Sequence, residues 1–444
     1  MENNNEFKPL DLAKKSRTFC ILPWIHQYVG PPGDVKPCCV YEHKEQIGSL
    51  KENTLKEIWN NDATKAMRLK FLNGEEDANC GRCNSRVELE AEFKNKFNDD
   101  FFTNNQGNQA VVAATNPDGS LDDHRLVYMD VRFNNLCNLA CRSCGPHFST
   151  SWIVDSRKLY NKKVKEGMDD EFQFPGKTEE QALSEMTPHL PTMESVYFAG
   201  GEPLMQKEHY EVLNTLVEVG NSDCHIRYNT NFTKFTMGAK HDAIEYWKRF
   251  KNVNVNASLD GSHAKAEYWR YGTVWKDVVA NRQRMLQEVP HVRFNIGFTL
   301  SWPNAFNLIE FHREWVEQGY IHPDNILINC LDGPPYYSLK NIPDWKKAKI
   351  ETALRDQIQW LKDRGASSQT VFMYETAIGF MHQQRALLSQ TVPEGGLHDS
   401  LKNFSRITKK LDAIRGESFF DVFPEHLDIK EYMTEHGLHD EFDY

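Results

Sequence analysis

The chain has 444 residues, 40% hydrophobic and 26% charged, the balance of a soluble globular protein with room for two to three domains of about 150 residues. Its 63 acidic and 52 basic residues leave a formal charge of -11, which excludes bulk attraction to nucleic acid or an anionic membrane but leaves room for a local basic groove. The opening MENNNEFKPLDLAKKS is polar and no run of about 18 apolar residues follows, so a cytoplasmic protein with no membrane partner is expected. Of its ten cysteines, eight fall in close, metal-like spacings, which fits a reducing compartment better than disulfides.

Residues 1–90 read as a first unit. Phe19-Cys20-Ile21-Leu22-Pro23-Trp24 is followed by Gly33-Asp34-Val35-Lys36-Pro37-Cys38-Cys39, and Cys80-Gly81-Arg82-Cys83 closes it. Gly33-Asp34 is a hairpin-turn signal between strand-like residues. Apolar residues at 55, 58, 59, 63, 66, 67 and 69 predict one amphipathic helix over 55–71. The expected unit is a hairpin followed by a helix, with cysteines at both ends. Neighbours on a strand point to opposite faces, so Cys38 and Cys39 are not expected to reach one metal together. Four thiols then remain, a closed set for a four-iron cluster or for zinc, and composition does not separate the two.

Residues 91–123 read as a linker. The stretch 87–97 is charged with a helical pattern, and 104–120 has the Asn, Gly and Ala content of a loop. From Leu126 the pattern turns to strands at 126–133, 194–199, 225–230, 253–259, 292–300 and 326–331, with helical periods at 206–219, 273–289 and 305–319 between them. This alternation predicts a parallel α/β core over 124–335, with ligands at the carboxyl ends of its strands. Residues 336–444 predict a mostly helical extension, with helices at 344–362 and 370–388 and an acidic tail.

Directly after the first strand stand Cys137, Cys141 and Cys144. Three thiols on one tight loop cannot pair off among themselves, but they can hold one metal centre. A four-iron cube takes one thiolate per iron, so a loop supplying three leaves one iron open to a small molecule with its own amine and carboxylate. The alternative is a structural zinc loop, whose ligands usually come as two pairs. After the second strand stands Gly200-Gly201-Glu202-Pro203. Glycines let backbone carbonyls approach a ligand closely, and a ligand ammonium needs such acceptors.

The three-then-two spacing of the cysteines resembles the signature of the radical S-adenosylmethionine (SAM) superfamily. The resemblance covers about 126–335 and implies a partial (β/α)6 TIM-type barrel. It also implies a 4Fe-4S cluster on Cys137, Cys141 and Cys144 that binds SAM at its open iron and cleaves it reductively to a 5'-deoxyadenosyl radical. Gly200, Gly201 and Glu202 match the motif that holds the SAM amino group. By the same likeness Ser258 reaches the SAM ribose or carboxylate, and Arg270 pairs with the carboxylate. Asp260 and Asn304 are further polar candidates at strand ends, and Cys330 reads as a small buried hydrophobe. Family members commonly carry an aromatic residue just before the third cysteine; here it is Ser143.

Residues 1–90 resemble the twitch module, a shortened SPASM domain. This implies a second, auxiliary 4Fe-4S cluster on Cys20, Cys38, Cys80 and Cys83. The module usually follows the barrel, whereas here it precedes it. The implied partners are a peptide, protein or small-molecule substrate, with modification of a peptide or protein side chain expected by analogy, and an electron donor such as flavodoxin or ferredoxin. A reading from another class, a zinc-binding interaction module without catalysis, accounts for paired Cys80 and Cys83 but not for the three-cysteine loop or the glycine turn.

Overall fold

A computed structural model describes residues 16–42, 46–84, 94–160, 172–383 and 396–438. The polar opening segment up to residue 15, most of the charged stretch 87–97, the end of the helix expected to reach 388 and the acidic tail lie outside them. The chain is mixed α/β with parallel strands, and it divides into two compact units interleaved in sequence. One comprises 1–135, 173–227 and 249–252; the other comprises 136–172, 228–248 and 253–444. Among the described residues no helix is long and apolar enough to cross a membrane.

In the first unit, strands Ser195–Phe198, Tyr128–Val131 and His26–Val29 lie side by side and parallel. His26–Val29 then turns back through Asp34–Lys36, which pairs with Gly48–Ser49, both antiparallel. The expected hairpin is present, with Gly33 at φ 98 in its turn. Its first strand joins the parallel sheet, Gln27 opposite Met129, so the cysteine-bearing hairpin extends the same sheet. Alternation sorts the strand Tyr128–Val131: Tyr128 and Asp130 take one face, Met129 and Val131 the other.

Two expectations in this unit change. The helix over 55–71 is two helices, Leu55–Trp59 and Asp62–Leu72. Asn61 breaks it by accepting from Thr64 N at 2.9 Å as an N-cap, and Asn60 donates to Leu121 O at 2.7 Å. The stretch expected as a loop over 104–120 contains the helix Gln106–Ala113. Asn105 caps it, and Asn108 donates back to Phe101 O at 2.9 Å, so the polar residues serve the helix rather than solvent. The expected linker is part of this unit's packing: Asn98 bonds to the backbone of Phe19 and Ile21, and Trp24 Nε1 donates to Thr115 Oγ1.

In the second unit, Val253–Ser258, Arg293–Leu300 and Ile326–Cys330 are parallel neighbours. Val253, Val255 and Ala257 are buried while Asn254, Asn256 and Ser258 are half-buried, a period of two. Helices Trp275–Glu288 and Ala305–Glu317 separate these strands, as their periodicity predicts. The carboxyl-terminal part is helical: Asp344–Asp363, Ser368–His382, Leu397–Arg415 and Leu427–Glu435. Leu397–Arg415 packs Ile407 and Leu411 against Ala140, Trp152 and Leu159 of the cysteine loop and its following helix. Gly416, at φ 69, ends that helix in the left-handed conformation that glycine adopts readily.

Candidate cysteine-lined sites

The loop of the second unit brings Cys137, Cys141 and Cys144 into electrostatic reach of one another. Cys137 and Cys141 are buried and Cys144 is exposed. The loop is stitched to the first turn of the helix Trp152–Tyr160. Ser151 Oγ donates to Cys137 O at 2.7 Å, and Trp152 Nε1 donates to Cys141 O at 2.8 Å. Ala140–Cys141 also pairs antiparallel with Arg270–Tyr271, which sets Arg270 opposite Cys141. Asn231 Nδ2 lies 3.7 Å from Cys137 Sγ. Burial pushes the Cys141 thiol up to about 12, against partial relief from the Arg270 charge.

Arg270 is the cation of this site. Its Nη1 donates to Asp260 Oδ2 at 2.7 Å, and Asp260 Oδ1 accepts from Thr299 N at 2.7 Å. Arg270 Nε is buried with no hydrogen-bond partner among the described residues. A buried donor left in that state costs stability, so a ligand acceptor there would relieve it. Ser258 ends its strand half-buried, two residues before Asp260. Asn304 has another role: it accepts from Ser301 N and donates to the backbone carbonyls of Asp260 and Thr299, so its amide is used up in holding two strand ends. Cys330 is half-buried, and burial pushes its thiol up to about 12.

Arg142, next to Cys141, fastens the loop from the other side. It is 3% exposed, donates through Nη2 to Asp412 at 2.6 Å and Glu417 at 2.9 Å, and lies over the Tyr268 ring at 3.8 Å. Arg415 adds a bond to Asp155 at 2.9 Å and another to Ala140 O at 2.9 Å. No motif marks these residues.

Gly200, Gly201 and Glu202 belong to the first unit, after the strand Ser195–Phe198. Gly200 has φ 104, and a Cβ there would stand 2.8 Å from Arg132 Cβ, so the turn requires glycine. Gly201 N donates to Asn134 O at 3.2 Å. Glu202 is fully buried and caps the short turn Pro203–Met205 by accepting from Leu204 N at 3.2 Å.

The first unit holds the other cysteine set. Cys20, Cys38, Cys80 and Cys83 line one cavity with Lys94, against apolar walls that include Met67 and Phe71. The Cys80 turn is capped by Asp77, which accepts from Asn79 N at 3.0 Å, and Glu42 N donates to Asn79 O at 3.2 Å. That backbone bond ties the Cys38 turn to the Cys80 turn. Burial pushes Cys20 up to about 12 and raises Cys38 and Cys80 further. Cys39 points away from the cavity and lies beside Asp130. The two cysteines separate as expected, but they lie in a turn after the strand Asp34–Lys36, so turn geometry rather than strand alternation parts them. Among the described residues no three cysteines, histidines or carboxylates close on one point as the ligands of a single ion would. The thiols instead stand around a space.

A polar row on the strands of this unit also carries no motif. Register places Asp130 between Tyr28 and Tyr197 on one face, with Arg132 Nε 3.4 Å from Asp130 Oδ1. Asp130 is 1% exposed and its Oδ2 meets no hydrogen-bond donor at bonding distance. Burial raises this carboxyl above its usual range, opposed by Arg132. The signal available in sequence was the alternation Tyr128, Asp130, Arg132 inside a strand expected to be buried.

Residues 20–84 match the SPASM family, described as an iron-sulfur cluster-binding domain. No curated protein sequence matches the chain significantly. Among solved structures, native anSMEcpe with bound AdoMet aligns with 54% of this chain and 62% of its own, at 19% identity and a TM-score of 0.38. Streptococcus suis SuiB bound to precursor peptide SuiA aligns with 55% of this chain and 48% of its own, at 16% identity and a TM-score of 0.34. The chain thus spans less than two thirds of the length of either.

Proposed function

We propose that the chain is a radical SAM enzyme with an auxiliary iron-sulfur cluster, built on a partial (β/α)6 barrel. The observation that carries this reading is the three-cysteine loop set against Arg270, a half-buried cation whose buried Nε has no hydrogen-bond partner among the described residues. A three-thiolate loop suits a cluster with one open iron, and the unpartnered Nε is the donor that the carboxylate of an amino-acid ligand would satisfy. The four-cysteine cavity, inside the segment matching an iron-sulfur domain, supports the second cluster.

In this reading Cys137, Cys141 and Cys144 hold the SAM-binding cluster, and Cys20, Cys38, Cys80 and Cys83 hold the auxiliary one. When bound, the first cluster supplies the electron that breaks the SAM sulfonium bond. Arg270 binds the SAM carboxylate while Asp260 holds the guanidinium in place. Gly200, Gly201 and Glu202 accept from the SAM ammonium, and Ser258 bonds to the ribose or carboxylate. The burial of Cys137 and Cys141 keeps water from that side of the site. The substrate class in this reading is a peptide or protein side chain, and flavodoxin or ferredoxin is the electron donor. The zinc-module reading accounts for the paired Cys80 and Cys83 but leaves the three-cysteine loop without a reason, since zinc ligands usually come as two pairs.

The test is anaerobic reconstitution. About eight irons per chain are expected, with conversion of SAM to 5'-deoxyadenosine under a strong reductant. Zinc without iron, or loaded clusters with no SAM cleavage, sinks the reading. Cys141→Ala abolishes cleavage and keeps the auxiliary iron, whereas Cys80→Ala lowers iron by about half.

A further inference from the structure

Among the described residues Lys94 is the one charged side chain on the wall of the four-cysteine cavity, and it is 5% exposed. A buried ammonium is costly unless something of opposite charge meets it. Burial works against its charge, and the groups that favour it are first the sulfurs of Cys20, Cys83 and Cys80 and then the carboxylate of Glu76, whose side chain is exposed. Protonated thiols carry no charge and do nothing to compensate the ammonium. Four thiolates around an iron-sulfur cube carry a net negative charge, and they would stand where the ammonium already is.

We propose that Lys94 is the counter-charge and hydrogen-bond donor of the anionic cluster in this cavity, and that it sets the reduction potential of that cluster. The assignment rests on the iron-sulfur reading of the cavity given above. One-electron reduction makes the cluster more negative. A cation held beside it in an apolar surrounding therefore stabilises the reduced form more than the oxidised form, which raises the potential. Charge and hydrogen bonds to sulfur are the means by which a protein tunes such a centre. Lys94 is a positioning and tuning residue here, since the thiols alone would ligate.

The full chain carrying Cys141→Ala isolates the auxiliary centre. Its iron content is measured first, then its midpoint potential by dithionite titration followed by electron paramagnetic resonance. Lys94→Met should keep about four irons and move the potential to a more negative value, whereas Lys94→Arg should stay near the parent. An unchanged potential in an iron-loaded Lys94→Met protein overturns the assignment and leaves the iron-sulfur reading standing. Absence of iron from the Cys141→Ala parent overturns both. Should Lys94→Met lose its iron, retention of iron and potential by Lys94→Arg supports the charge role, and loss in both variants overturns it.

Discussion

Arg142 and Arg270 grip the same cysteine loop from two sides and differ in how far they can be read from sequence. Arg270 lies ten residues from its partner Asp260 and on a strand that pairs with Ala140–Cys141. The partner of Arg142, Asp412, is 270 residues away, and no local spacing announces such a contact. The cysteines were legible because ligation of one centre by one loop is a local matter; their fastening is tertiary. Arg142→Met would leave Asp412 and Glu417 without their buried cation, at a cost of about 3–5 kcal/mol. The expected result is loss of the iron held by the loop, about half the total, with partial recovery in Arg142→Lys, which keeps charge but not the fork. Full iron in Arg142→Met contradicts this role. Arg270→Lys can still pair with Asp260 but loses Nε, so SAM binding measured by equilibrium dialysis should weaken by about tenfold, or about 1.4 kcal/mol, at unchanged iron content.

Elements that bury one face were visible in the sequence. All six strands expected between 126 and 331 are present, because a period of two with β-branched and aromatic residues leaves little choice. The failures have one cause. Asparagine reads as a loop former, but Asn61 and Asn105 each start a helix by capping it, so one expected helix is two and one expected loop is a helix. The helix Leu397–Arg415 was legible only as part of an extension, whereas it supplies Ile407 and Leu411 to the apolar cluster under the cysteine loop. Leu411 is 1% exposed in that contact. Leu411→Ala should cost about 2–5 kcal/mol and speed amide exchange across residues 137–160. Unaltered exchange in that segment would show that the loop stands without the helix.

Both compact units keep histidines out of water, which couples the stability of the whole chain to acid. Burial lowers His26 and His426 to about 3 and His312 to about 4. Each donates a ring N–H to a backbone carbonyl, of Tyr128, Pro303 and Pro323 respectively, and burial outweighs that bond, which favours the proton, to keep the ring neutral. An unfolded chain takes up these protons near pH 6.5 and the folded chain does not. Their stability is therefore complete above about 6.5 and is lost as pH falls toward 4, at about 1.4 kcal/mol per pH unit for each histidine. The urea midpoint should drop between pH 7.5 and pH 5, and His312→Gln should drop less than the parent. Equal drops in the two proteins would remove His312 from the account.

The ion pair of Arg142 with Asp412 also fixes an order of events during synthesis. Asp412 leaves the ribosome 270 residues after Arg142, roughly 14–54 s later at about 5–20 residues per second. Until then the loop has its local bonds from Ser151 and Trp152 and its pairing with Arg270–Tyr271, but not the clamp through Arg142. A nonsense codon before Asp412 would therefore yield a chain with every cysteine in place but without the Arg142–Asp412 ion pair on the three-cysteine loop.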